Sequence, residues 1–91
     1  MDKSRIDSRQ PAPGYDQQKL EDAVLALLAA LQFDNGRVWK RYDFAIMDAL
    51  HAKGLIDNPR GRTESVYLTE EGMRRGGLLA RSMFAEREAR G

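Results

Sequence analysis

Two short runs hold most of the residues able to do chemistry. Arg37, Trp39, Lys40, Arg41 and Tyr42 interleave cations with aromatic rings, and Arg60 and Arg62 flank Gly61 in a segment dense in turn formers. Guanidinium and ammonium groups hold phosphate, and aromatic rings stack on exposed bases. A glycine between two arginines lets a phosphate approach the backbone with a guanidinium on either side. The same residues have a plainer reading: Trp39 and Tyr42 anchor a junction between helices, the cations stay solvated, and the segment around Gly61 is a soluble hairpin turn. A third pair, Asp48 and His51, has the i, i+3 spacing that places two side chains on one helical face, as metal binding or proton transfer requires. No third ligand or nucleophile accompanies it, so it reads as packing or capping.

Composition narrows the classes further. Ninety-one residues, 42% apolar and 32% charged, suit one small domain near the size at which a single core suffices without staples. Cysteine is absent, which excludes disulfides, thiolate metal sites and thiol catalysis and fits a cytoplasmic setting. The N-terminus has no apolar core of signal-peptide type, and the apolar stretch Ala23 to Leu31 is too short to span a bilayer. Fifteen Lys and Arg against fourteen Asp and Glu leave a net charge of +1, so any nucleic-acid site must be a local patch. No enzyme activity, cofactor, metal or small-molecule substrate is expected.

These residues must be held by a few short elements. Residues 1–14 are polar and broken by Pro11, Pro13 and Gly14, and are expected to form a disordered tail before a single domain over 15–91. Asp16 is a suitable N-cap for a first helix reaching about Phe33, with Leu20, Val24, Leu27, Leu28 and Leu31 as its apolar stripe and Glu21 outside it. Asn35 or Gly36 supplies the stop. Arg37 to Tyr42 suits a brief extended segment, and Asp43 caps a second helix to about Lys53 that sets Phe44, Met47, Leu50 and His51 toward one side with Ile46 beside them. Leu55-Ile56 and Ser65 to Leu68 then form a hairpin whose tip carries Arg60 and Arg62, with Ile56, Val66 and Leu68 packed on the helices. Thr69 caps a third helix running toward Arg87, with Glu70 and Glu71 in its first turn. Gly76-Gly77 inside that helix costs roughly 1 kcal/mol per glycine, which a close helix contact would offset.

The expected fold is therefore α+β and mainly helical. The run Leu50-His51-Ala52-Lys53-Gly54-Leu55-Ile56, the turn with Arg60 and Arg62, and Val66 to Gly72 resemble the second half of winged-helix regulators of the multiple-antibiotic-resistance repressor type. The resemblance implies a recognition helix at 43–53, a wing touching double-stranded DNA through Arg60 and Arg62, and a homodimer built on the terminal helices. Only nine residues separate Phe33 from Asp43, so the helix-turn-helix is expected to be shortened. The helix at 43–53 carries Asp43 and Asp48 and no Arg, Asn or Gln for bidentate base contacts. Trp39-Lys40, Tyr42-Asp43-Phe44, Leu50-His51, Lys53-Gly54-Leu55-Ile56 and Leu68 to Gly72 also resemble a family of small bacterial proteins known as a domain of unknown function. That likeness implies membership and no activity.

The leading expectation is a cytoplasmic, dimeric, nucleic-acid-associated module contacting phosphates through Arg60, Arg62, Lys40 and Arg41. The alternative keeps the fold and binds protein through Trp39, Leu78, Leu79, Met83 and Phe84.

Overall fold

Three side-chain caps decide where the helices begin. The computed structural model describes residues 14–86 and contains α1 (Gln17–Ala30), β1 (Arg37–Trp39), α2 (Phe44–Ala52), β2 (Ser65–Tyr67) and α3 (Glu70–Phe84). Asp16 accepts from the Lys19 amide at 3.1 Å, Asp43 from the Ile46 amide at 3.0 Å and Thr69 from the Gly72 amide at 3.0 Å. Each satisfies a donor that the first helical turn leaves unpaired. Apart from Gly14, the tail expected over 1–14 lies outside the described residues.

The first helix stops at Ala30, before the expected Phe33, because the next residues are committed to a tight turn. Phe33 and Arg37 exchange two backbone hydrogen bonds of 2.8 Å around Asp34, Asn35 and Gly36. All three have positive φ, at 47°, 54° and 107°. That turn delivers β1, which pairs antiparallel with β2 in the register Arg37↔Tyr67, Val38↔Val66 and Trp39↔Ser65.

The expected wing hairpin contracts to one bridge, Ile56↔Leu68, supported by the Asp57 amide donating to the Tyr67 carbonyl at 2.9 Å. Asn58 and Pro59 turn the chain away at once, and proline brings no donor with which to extend the ladder. β2 consequently lies between β1 and the 55–57 segment. The tight turn, β1 and residues 40–43 occupy the chain between α1 and α2, with no helix where a shortened helix-turn-helix was expected. The mainly helical α+β order fits a winged-helix-like layout.

Leu25, Leu28, Val38, Met47, Leu50 and Ile56 are fully buried, and Val66 and Leu68 join them as expected. Two face assignments change. α1 buries Glu21, Leu25, Ala26, Leu28 and Ala29, leaving Leu31 61% exposed beyond the helix end, and Phe44 faces outward at 59% exposure. α3 packs along α1 at Gly76, where an added Cβ would lie 3.0 Å from the Ala29 Cβ and 3.2 Å from the Leu25 carbonyl oxygen. Gly77 has nothing within 4 Å of an added Cβ, so the expected close contact explains one glycine of the pair. The helix ends at Phe84, where Ala85 turns extended, and Arg87 lies outside the described residues.

Candidate interaction surface

Two of the wing-side cations, Lys40 and Arg60, are held by their own protein. Lys40 Nζ donates to the carbonyls of Pro59 at 2.8 Å and Gly61 at 2.7 Å, tying the end of β1 to the loop. Arg60 folds back onto α2, donating to Asp48 at 2.8 Å with its guanidinium carbon 4.9 Å from the centre of the Phe44 ring. Its backbone amide is fixed by Asn58 at 2.9 Å. Lys40 and Arg60 share an open cleft of about 360 Å³ with Phe44, Met47, Pro59 and Gly61. Arg62 is exposed in the same loop, and Arg41 reaches that loop through Glu64 at 3.5 Å. The four residues expected to bind phosphate therefore gather at one end of the sheet, with unequal freedom to leave their present partners.

A second chemical surface arises from strand alternation. Val38 and Val66 face the core, so the flanking Arg37, Trp39, Ser65 and Tyr67 share the opposite face of the sheet. Phe33 joins them, its ring centre 4.9 Å from that of Trp39 in a tilted pair. Arg37 lies 5.6 Å over Phe33 and Arg41 lies 5.5 Å over Trp39, so the cations bracket the rings. Trp39 remains 50% exposed and Tyr67 46%. The junction role expected of Trp39 and Tyr42 falls to Tyr42 alone, which packs at the margin of the core.

On α3, Leu78, Met83 and Phe84 are exposed, whereas Leu79 packs partly against the core. These residues and Trp39, expected together as a partner surface, thus divide between α3, the core margin and the sheet. Asp48 is engaged by Arg60 and His51 is exposed, and no cluster of three metal-ligating side chains occurs among the described residues.

One charged site escapes the sequence pattern. Glu21 is buried on α1 and paired with Lys53, whose ammonium also donates to Gln18 at 2.9 Å, while Gln17 donates to Glu21 at 2.7 Å. Burial pushes the Glu21 pKa up, but the Lys53 and Gln17 hydrogen bonds and the Lys53 and Arg75 charges outweigh it, and the carboxyl ends below its ordinary value. Lys53 follows α2 directly, so this network fastens α2 to α1.

A family model described as "Domain of unknown function (DUF6429)" matches residues 16–86. The chain belongs to the DUF6429 family. It is 44% identical over 69 residues to "Uncharacterized protein y4hR" of Sinorhizobium fredii (strain NBRC 101917 / NGR234), covering 76% of this chain and 93% of that protein. No solved structure matches. In this DUF6429 chain the residues that carried the family resemblance are mostly joints of the fold. Thr69 Oγ donates to the Gly54 carbonyl at 2.7 Å, its amide donates to the Leu55 carbonyl at 3.0 Å, and Gly72 rests directly on that Leu55 carbonyl. Lys40 holds the loop and Asp43 caps α2. Among the described residues no helix is long and apolar enough to cross a membrane.

Proposed function

We propose that this protein is a nucleic-acid-associated binding module, without enzymatic activity, that holds phosphates at the end of its sheet. What supports the reading is the Lys40 anchor: by gripping the Pro59 and Gly61 carbonyls it keeps the loop bearing Arg60 and Arg62 beside Arg41. Arg62 and Arg41 supply the phosphate contacts. Lys40 and Arg60 act as scaffold, since their donors are already directed at carbonyls and at Asp48. Two to three contacts, counting Arg37 nearby, give a log-log salt slope of roughly −2 to −3 on duplex DNA. Fluorescence anisotropy with a random labelled duplex over a salt series measures it. Arg62→Ala is expected to make the slope shallower by about 1, and Arg60→Ala to leave it near wild type. Absence of binding to duplex or single strand at low salt overturns the proposal.

The exposed Leu78, Met83 and Phe84 favour a second reading, a protein-interaction or homodimer surface on α3. Sedimentation across a concentration series tests it. A mass that stays monomeric at high concentration removes the homodimer.

A further inference from the structure

Deepening the nucleic-acid reading, and resting on it, we propose that the outer face of the sheet is a stacking platform for unpaired bases of single-stranded nucleic acid. Arg37, Trp39 and Tyr67 stand on one exposed face, with Phe33 beneath Arg37 and beside Trp39. Trp39 and Tyr67 sit diagonally across the ladder, where Tyr67 can receive a base and Trp39 can do so once Arg41 swings off its ring toward a phosphate. Bases inside a duplex are already stacked and cannot offer their faces to such rings. The arrangement therefore selects unpaired strands.

Charge complementarity supports the same occupant. Both arginines of the face have long, exposed ion pairs, Arg37 to Asp34 at 3.4 Å and Arg41 to Glu64 at 3.5 Å, and Arg37 also donates from Nε to Ser65 Oγ at 2.9 Å. Ion pairs of this kind contribute little, so a phosphate can displace that of Arg41 and compete for the Arg37 donors not bound to Ser65. Arg60 and Lys40 are held at 2.7 to 2.8 Å by Asp48 and by the loop carbonyls and are poor donors to a ligand. Beside Tyr67 lies a hollow of about 310 Å³ lined by Arg37, Asp57, Asn58, Thr63, Ser65 and Val66. Asn58 Oδ1 already accepts from the Arg60 amide, Thr63 Oγ1 donates to the Ser65 carbonyl and Ser65 Oγ accepts from Arg37, which leaves the Asn58 amide nitrogen, the Thr63 hydroxyl oxygen and the Asp57 carboxylate for the edge of an unpaired base.

The chain has a single tryptophan, so intrinsic fluorescence reports on this face directly. The experiment titrates the intact protein at low salt with an oligothymidine of about 12 nucleotides and with a duplex of equal length. Saturable quenching of Trp39 by the single strand, with at least roughly tenfold tighter binding than duplex, is the expected result. Tyr67→Ala should weaken single-strand binding roughly 5- to 150-fold while Trp39 still reports, and Tyr67→Phe, which keeps the ring, should retain it. Thermal melting of both variants separates lost stacking from lost folding. Duplex binding equal to or tighter than single-strand binding overturns the platform and leaves the phosphate-binding module standing, as does a folded Tyr67→Ala variant with unchanged affinity. Binding to neither overturns both.

Discussion

The packed side of the molecule and the outer face of its sheet obey different rules. On the packed side contacts are so close that single atoms matter: a Cβ at Gly72 would sit 1.9 Å from the Leu55 carbonyl oxygen. On the outer face Trp39 and Tyr67 stand half exposed, and the arginines that bracket the rings have long, exposed ion pairs, with Arg37 also bonded to Ser65. Exposed apolar residues also occur on α2 and α3, among them Phe44 under Arg60 and Phe84, but the sheet face is where Trp39 and Tyr67 stand together beside Arg37 and Arg41. Side chains exposed to this degree contribute less to stability than those of the core. Changes on the packed side should therefore act on folding, and changes on the outer face on binding.

Gly72→Ala is the largest expected break, because the clash is with backbone and relief requires α3 to move off the 55–57 segment. A loss of about 3 kcal/mol or more is expected in denaturant unfolding. A wild-type melting midpoint would remove the close-packing half of the comparison.

Next is Lys53→Ala, which leaves the buried Glu21 carboxylate with Gln17 and the more distant Arg75. The expected cost is about 2 to 3 kcal/mol near neutral pH. The pH dependence sharpens the test. Glu21 is depressed in the folded state, so its contribution is fully present above the unfolded carboxylate value, near 4.5, and is lost as pH falls through the folded value. Melting temperature against pH should drop through that acidic window in the wild type and drop less in Lys53→Ala. Parallel curves would mean that the pair does not fasten α2 to α1.

The adjacent glycines of α3 offer a matched contrast. Gly76→Ala meets Ala29 and Leu25 and should destabilise by about 1 to 2 kcal/mol, whereas Gly77→Ala meets open space and should stabilise by about 0.5 to 1 kcal/mol. Opposite signs one residue apart in thermal melts would confirm that α1 presses on one face of α3 only. The smallest effect belongs to the outer face. Arg41→Ala should alter stability by no more than about 0.5 kcal/mol, its pair with Glu64 being 3.5 Å long and more than two-thirds exposed on both sides.

The sequence made the caps and the core legible because both are local signals. Asp16, Asp43 and Thr69 each bond an amide three residues on, and Ile56, Val66 and Leu68 alternate or cluster as strand residues do. Pairings between distant segments were not legible. β2 joins β1 across α2 and the loop that follows it, in place of forming a full hairpin with Leu55-Ile56, and nothing local to Arg37–Trp39 names Ser65–Tyr67 as its partner. Glu21 looked solvated because Lys53, which makes its burial tolerable, is supplied by the end of another helix. The mixture of cations and rings in 37–42 was visible in the sequence, while its division by strand alternation into an outward Arg37 and Trp39 and a loop-binding Lys40 needed the fold. Likewise Arg60 was visible at the tip, but its return to Asp48 and Phe44 depends on how the loop is pinned.

The most direct test of the outer face as the binding region is nitrogen-15 NMR of the protein titrated with oligothymidine. The account predicts shifts concentrated in the Trp39 indole and in the amides around Phe33, Arg37, Arg41 and Tyr67, with the Arg60 side chain unmoved against Asp48. Shifts confined to Arg60 and the loop around Gly61, with the Trp39 indole silent, would contradict it.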